Sequence, residues 1–469
     1  MRKVIALLVV FCTVLIFIVA TNKAELRNSS VKDSDRANSQ DDFIVHEWGT
    51  FTSFSGSDGV KLEFRPLVDS DLPRFVLDRA RQSGLPHPFR KLNLRVLQRM
   101  ETPVTYFYTD RERQVNVRVG FPKGLLTEFY PPVESMAPEF DWLKEPVISD
   151  SNLDWGKIWL IPTNQIKVDV GDDKLAEELQ SQIVQSLMPK SYVPNHYDYA
   201  RETDSALVYL ERQFDKKRPL APAGNFFEKF LFYRGVGNFK LPLTLAAIGS
   251  DQFTLFNDGP DAIRSLFLVN VEGEQICFSK YDQIGAGEQL VIALSETSST
   301  IDELSEAVVV ALVNERLYEK EARAMVKTWR SSWFGEDGTR LFYMLPQPIT
   351  DELIPLHIEP QPQELVRVLV GRMEIMSPEE EGRIIELVKK SAADRAARAK
   401  ESASDGESKV SDQESRPYQF PSTILEMGRL AEPALVRVKN ITDDNIVLNE
   451  AKILLSEITE ARIAAVKSE

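Results

Sequence analysis

Only two cysteines occur in the 469 residues. Cys12 falls in an apolar leader, so Cys277 stands alone in the body and no disulfide can form within it. A chain this long can be stabilised by burial without one. Cys277, in the strand-like run Gln275-Ile276-Cys277-Phe278, reads as a small buried hydrophobe. Histidine is equally sparse: His46, His87, His196 and His357 are the four, and none has metal-ligand spacing, so no metal is expected. His46-Glu47 is not followed by the second histidine of a metalloprotease helix, and no Gly-x-Ser-x-Gly elbow, phosphate-loop lysine or EF-hand loop is present. Arg234-Gly235-Val236-Gly237 lacks the third glycine of a dinucleotide loop, so no cofactor is expected. Positive charge is in deficit, with 56 Lys and Arg against 71 Asp and Glu for a net charge of −15. The first 23 residues hold Arg2, Lys3 and Lys23 and no acid, which leaves the remainder at −18. A body this acidic is unsuited to nucleic acid, whose phosphates need clustered cations, and to broad docking on anionic lipid.

One long apolar run is present. Val4–Ala20 is 17 residues without a charge, preceded by Arg2-Lys3. A basic start and an apolar segment of this length read as a signal peptide or an uncleaved signal anchor over residues 1–23. Ile18 stands where a cleavage site prefers a small residue, and Phe11 before Cys12 disfavours a lipoprotein. The basic end should stay cytoplasmic and the rest should pass outward, which implies an extracytoplasmic address and a membrane partner through this segment. Residues 24–42 are rich in Ser, Asp and Asn and read as a flexible tether.

The pattern that follows predicts an α+β fold. Residues 43–220 form a β-rich α+β region that opens with aromatic and β-branched residues over Phe43–Phe54. Val104–Tyr108 and Val115–Phe121, separated by a polar loop, read as a hairpin, and Lys157–Pro162 as a further strand. Leu175, Leu179, Ile183 and Leu187 put one apolar stripe on a helix over Asp172–Leu187. Residues 221–300 hold short strands between turns such as Asn257-Asp258-Gly259-Pro260 and read as sandwich-like. A mixed helix and strand region covers 301–391, with helices at Ile301–Val313 and Glu319–Trp333. Ser377-Pro378-Glu379-Glu380 has the form of a capping box with proline at the first helical position. Residues 392–416, poor in apolar side chains, read as a linker open to partial helix, and 417–469 as a short helical tail.

Two resemblances accompany this reading. Val45-His46-Glu47-Trp48-Gly49-Thr50-Phe51-Thr52-Ser53 resembles the opening of a family of uncharacterised exported bacterial proteins, as do Glu101-Thr102-Pro103-Val104, Phe121-Pro122-Lys123-Gly124, Glu228–Gly235 and Leu317–Ala322 further on. That resemblance implies export and supplies no mechanism. Gly428 through Ala431-Glu432-Pro433-Ala434-Leu435, then Asp443-Asp444 and an apolar helix, resembles a single HEAT-type unit. One such unit cannot bury its own face and should pack on the body or on a protein partner.

The candidate site residues follow from scarcity. In a strand His46 shares a face with Trp48 while Glu47 points the other way. His46 beside an indole, with Glu101 and Glu128 as carboxylates, suits general acid–base work or a sugar ring. His196, in the polar and aromatic run Asn195–Glu202, is a second candidate. The catalytic candidates are therefore His46, Glu47, His196, Glu101 and Glu128; the ligand-binding candidates are Trp48, Lys229 and Arg234. Each has a plainer reading as a hydrogen-bonded structural residue or a paired charge, and His87 between two prolines reads as a turn residue. Two functions remain open: a membrane-tethered envelope protein that binds a partner, possessing no enzyme signature, and an extracytoplasmic hydrolase built on His46, His196 and nearby carboxylates.

Overall fold

The computed structural model describes residues 42–66, 72–85, 89, 91, 94–166, 168, 170–190, 194–404, 424 and 427–468. The leader, the tether to residue 41, His87 and residues 405–416 of the expected linker lie outside these. Among the described residues the first strands are β1 Phe43–Ser55, β2 Lys61–Leu62, β3 Leu77–Asp78, β4 Gln98–Thr109, β5 Arg113–Phe121, β6 Gly124–Tyr130, β7 Ser135–Ala137 and β8 Ser151–Ile161. There follow β9 Leu207–Arg212, β10 Gly224–Glu228, β11 Leu231–Gly237, β12 Leu243–Ala247, β13 Gln252–Asn257 and β14 Ile263–Glu272. The last are β15 Gln275–Ile284, β16 Gln289–Ala293, β17 Ser298–Ser299, β18 Gly338–Leu345, β19 Leu356–Glu359 and β20 Glu364–Ile375. The helices are α1 Arg79–Gln82, α2 Asp173–Leu187, α3 Ile301–Asn314, α4 Glu319–Phe334, α5 Gln347–Leu353, α6 Pro378–Ser404, α7 Ala431–Ile441 and α8 Asn445–Ser468. The fold is α+β, with its helices gathered toward the C-terminus.

β1 is the axis of the largest sheet, whose order is β17-β15-β14-β18-β20-β1-β4-β11-β6-β3 with β2 on β1. It pairs in parallel with β20 from Ile44↔Glu364 to Ser55↔Ile375, and antiparallel with β4 on its other edge. Thus the first strand of the folded body is closed against nearly the last, and both of its edges are satisfied by backbone partners. A six-stranded sheet, β10-β9-β8-β5-β19 with β7 on β8, and a three-stranded sheet, β12-β13-β16, complete the β-structure. Of the strands within 221–300, β11, β14, β15 and β17 belong to the large sheet, β10 to the six-stranded one, and β12, β13 and β16 make the small one. One apolar core runs through all three sheets, from Phe51 and Tyr343 of the large sheet to Trp155 of the six-stranded sheet and Phe253 of the small one. On its opposite face the large sheet carries α3 and α4, packed through Trp48, Val368, Val308, Met325 and Trp333.

β4 and β5 do not form the expected hairpin. Both strands are where the pattern placed them, but β1 and β11 already occupy the two edges of β4. The chain therefore turns at Asp110–Glu112 and crosses to the second sheet, where β5 pairs with β8 and β19. The strict alternation of buried Val115, Val117, Val119 and Phe121 with exposed Gln114, Asn116 and Arg118 gives β5 one core face and one wet face.

The helical expectations have visible local causes. Asp172 accepts from the backbone N–H of Lys174 and Leu175 and starts α2. Glu380 accepts from the Ser377 N–H at 2.6 Å and Ser377 Oγ from the Glu380 N–H at 3.1 Å, the reciprocal pair that opens α6. That helix runs on through residues 392–404, which had read as linker: Ala, Arg, Lys and Glu are strong helix formers even where nothing is buried. Arg395 is held there by Glu450 and Glu457 of α8. The three C-terminal helices pack on the end of β1, through Phe54 and Leu62 against Val388, Leu435 and Leu454. Arg437 of α7 ties the contact by bonding Glu381 at 2.6 Å and Asp58 at 3.0 Å. Cys277 is half-buried and unbridged.

Gly371 of β20 lies opposite Tyr343 of β18, whose buried ring crosses it so closely that a Cβ there would stand 2.1 Å from the ring carbon Cζ. Gly371→Ala should therefore destabilise the protein by about 1–3 kcal/mol. Gly382→Ala, on the exposed side of α6 with nothing within 4 Å of the added carbon, should stabilise it by about 0.5–1 kcal/mol. Denaturant unfolding of both variants measures the pair; equal effects would contradict the packing at Gly371.

Candidate functional site

α4 lies along β1, and its two ends account for much of the polar chemistry on that face. From Glu321 to Trp333 the helix advances about 18 Å, and from His46 to Thr52 the strand advances about 20 Å. At the helix start, Glu321 accepts from the Tyr318 backbone N–H at 2.8 Å, as a carboxylate in the first turn does. The same carboxyl group accepts from His46 Nδ1 at 2.7 Å and from the Tyr108 hydroxyl at 2.8 Å. His46 is 1% exposed, tilted against the Tyr318 ring, and its Nε2 has no partner. Burial, and then the Glu321 charge, push the Tyr108 phenol well above its ordinary range, so it remains a donor. His46 is thus held by Glu321, a residue outside the candidate set, rather than by Glu101, Glu128 or His196.

At the other end of α4 the last carbonyls face arginines. Arg340 donates to the Trp333 carbonyl at 2.7 Å, and Arg372 and Arg429 to that of Ser332 at 2.6 and 3.2 Å. Cations at a helix C-terminus satisfy carbonyls that have no helical partner and oppose the negative end of the helix dipole. Register brings these arginines together. Thr52 of β1 stands opposite Arg99 on β4 and opposite Arg372 on β20. Both strands carry the same tripeptide, Arg99-Met100-Glu101 and Arg372-Met373-Glu374, so each arginine shares its face with a carboxylate two residues on. Arg99 pairs with Glu101 at 2.5 Å, and Thr52 donates to Glu101 at 2.8 Å. Glu374 takes Arg372 at 2.6 Å, Arg429 at 2.9 Å and Arg340 at 3.2 Å. Arg429 also reaches Glu336.

A cleft of about 980 Å³ opens over this group. Its lining includes Arg99, Glu101, His196, Trp329 and Arg372, with Ile384 and Leu387 of α6 and Met427 and Leu430 of the turn at 427–430. Four arginines line it, Arg383 being the fourth, and four carboxylates, Glu101, Glu336, Asp337 and Glu380. Among the described residues no three His, Cys, Asp or Glu side chains are grouped as a metal would require.

No protein-family model matches the chain, and no curated protein matches it. Among solved structures it is similar, at 8% identity, to the yeast delta-COP-I mu-homology domain complexed with a Dsl1 WxWxV peptide, over 72% of this chain and 98% of that one, with a TM-score of 0.21. A second structure of the yeast delta-COP-I mu-homology domain gives 8% identity, the same coverage and a TM-score of 0.23. The Danio rerio Fcho1 mu-homology domain with a bound Eps15 peptide gives 7% identity, 72% and 95% coverage and a TM-score of 0.24. Superpositions this weak establish neither a shared fold nor a shared role.

The remaining candidates are dispersed. Glu101 and His196 share the cleft, with His196 near the Trp329 ring at 5.8 Å. Trp48 lies on the His46 face, fully buried among α4 side chains. Glu47 turns to the opposite face and is fully buried, with Arg367 at 2.6 Å, the Tyr233 hydroxyl at 2.6 Å and Thr105 at 2.9 Å. Glu128 of β6 stands in register with Arg234 of β11, 3.5 Å away, and takes Lys91 at 2.8 Å. Lys229 is buried and donates to the Ser205 carbonyl; burial draws its ammonium down to about 8, against Asp204 and Glu228. Arg99, Arg372, Arg429 and Trp329 were missed. The repeated Arg-Met-Glu inside two strands was the signal that could have found Arg99 and Arg372, since charges within a buried strand require partners; Arg429 and Trp329 carried no such signal.

Burial acts to raise the Glu128 carboxyl, but Lys91 and then Arg234 outweigh it and hold it below its ordinary value of 4.5. The unfolded chain therefore binds this proton more readily than the folded one, so the stabilisation is fully present above that value and is lost as pH falls below it. Glu128→Gln should cost roughly 3–5 kcal/mol at pH 7. It should also flatten the loss of stability on the acid side of 4.5. Unfolding of both proteins across pH 3 to 7 measures this; parallel curves would contradict it.

Proposed function

We propose that the chain is an extracytoplasmic binding protein, tethered to a membrane by its N-terminal apolar segment, and that the arginine-lined cleft receives its ligand. The address rests on Arg2-Lys3 ahead of the uncharged run Val4–Ala20. Among the described residues no helix is long and apolar enough to cross a membrane. The cleft carries the binding reading: its volume is that of a small-molecule site, and its lining mixes charged and apolar side chains. A protein partner is a second element of the proposal. Ile446 and Ile453 of α8 are exposed on the C-terminal helices, and apolar residues there suit a docking surface. The acidic body offers nothing to nucleic acid.

The hydrolase alternative has one observation in its favour. His46 has a carboxylate on Nδ1 and a free Nε2, the arrangement of an oriented general base. At 1% exposure, and absent from the cleft lining, that nitrogen is not open to a substrate entering from solvent. The full chain should fractionate with membranes and be open to protease from outside. When purified, it should release a small molecule on denaturation that is missing from Leu387→Trp, which fills the cleft. Recovery in the cytosol would overturn the address. Turnover of a hydrolase substrate that His46→Ala abolishes, with no cleft-dependent molecule released, would favour the enzyme.

A further inference from the structure

β9 and β10 form an antiparallel hairpin, in register from Val208↔Glu228 to Arg212↔Gly224. Hairpin connections usually take about two to five residues, and long ones are a common seat of function. Here residues 213–223 make the connection. The foot of the hairpin is fixed: Arg212 donates to the Pro132 and Trp155 carbonyls at 2.9 and 2.8 Å, and Tyr209 stacks on Phe227. Asp215 orders the turn, its carboxylate accepting from the Lys217 backbone N–H at 2.8 Å and from Arg218 Nε at 3.0 Å. This turn presents two kinds of side chain. Phe214 and Leu220 are 61% and 65% exposed. Between them Lys216, Lys217 and Arg218 are exposed as well, with Asp215 as the one acid. Among the described residues no carboxylate forms an ion pair with Lys216 or Lys217.

We infer that this tip docks on the lipid surface to which the chain is tethered, with Phe214 and Leu220 at the acyl boundary and the cations on anionic headgroups. Large apolar side chains flanking a basic run suit that boundary, where a bilayer is apolar below and negatively charged above. The charge decides between this loop and another. In residues 139–150 Trp142, Leu143 and Val147 are as exposed, but Glu139, Asp141, Glu145 and Asp150 outnumber Lys144. Anionic lipid would repel that segment, whereas the hairpin tip is locally positive on an acidic body.

Placement allows the contact. Ala206, just ahead of β9, donates to the Phe107 carbonyl, and Phe107 stands opposite Val45 of β1. The hairpin therefore springs from beside the end of β1 that follows the tether. From Ala206 to Phe214 the chain extends at most about 27 Å, and residues 24–41 can span at most about 60 Å. Tethering makes the encounter intramolecular, so a tip too weak to hold a free protein on lipid is sufficient. This inference rests on the membrane tether proposed above and adds a second point of contact to it.

The test uses the full chain in lipid nanodiscs, with Cys12→Ser, Cys277→Ser and a polarity-sensitive fluorophore on Leu220→Cys. A label on Val291→Cys is the control. Val291 is 64% exposed on β16, and its sheet bonds Ser57, beyond the other end of β1, through Ala247. In discs that contain anionic lipid, lipids brominated on the acyl chain should quench the Leu220 label and not the Val291 label. The quenching should be lost on Phe214→Ser and on Lys216→Glu with Lys217→Glu, while the chain stays in the discs. High salt, which screens the cations, should weaken it, as should discs of zwitterionic lipid alone. No quenching at Leu220, or equal quenching at the two labels, would overturn the docking and leave the tether intact. Quenching that survives both sets of substitutions would overturn it as well. A chain that does not remain with the discs would overturn the tether, and this inference with it.

Discussion

Hydrogen-bonding side chains on both faces of a strand with almost no access to water are the constraint from which the rest of this fold follows. β1 is paired along both edges and covered on both sides, yet it carries His46 and Glu47 in succession, each 1% exposed or less. Each must be met by another group, because a buried polar group or charge left unpaired is costly. Glu47 is met by Arg367 on the neighbouring strand and by the Tyr233 hydroxyl, and His46 by Glu321 at the start of α4. These partners fix which strand lies beside β1 and where the helix sits. Once α4 is aligned at Glu321, its last carbonyls fall over the Arg372 and Arg340 end of the sheet.

That alignment links fold to site. Two of the arginines that close α4, Arg372 and Arg429, also line the cleft, so the same side chains cap a helix, neutralise Glu374 and present a polar surface. Structural pairing consumes most of their donors. Arg99, Arg429 and Trp329 each keep one buried N–H without a partner, as do Trp48 and Trp333.

Much of the secondary structure was legible because its causes are local. The aromatic and β-branched run of β1, the four-residue stripe of α2 and the Ser377 capping box each act within a few residues. Pairing was not legible. Whether β4 joins β5 depends on which edges β1 and β11 have taken, and no local signal reports that. Residues 392–404 lack apolar side chains yet are helical, because composition without a stripe does not distinguish a linker from a solvated helix. The site suffered more. His46 and Glu321 are 275 residues apart, so the partner that assigns the histidine's role could not be seen from its neighbours. Arg99 and Arg372 were passed over because scarcity points to histidines and not to arginines, although their shared Arg-Met-Glu setting was in plain view.

The claim that matched pairs around β1 organise the structure is tested most directly by a double-mutant cycle at Glu47 and Arg367, which lie 2.6 Å apart with both side chains fully buried. Glu47→Gln and Arg367→Met should each cost roughly 3–5 kcal/mol in denaturant unfolding. The double variant should recover a large part of that, with a coupling energy of about 1–3 kcal/mol. Additive losses would show that the two side chains do not act as a pair, and would contradict the organising role of β1.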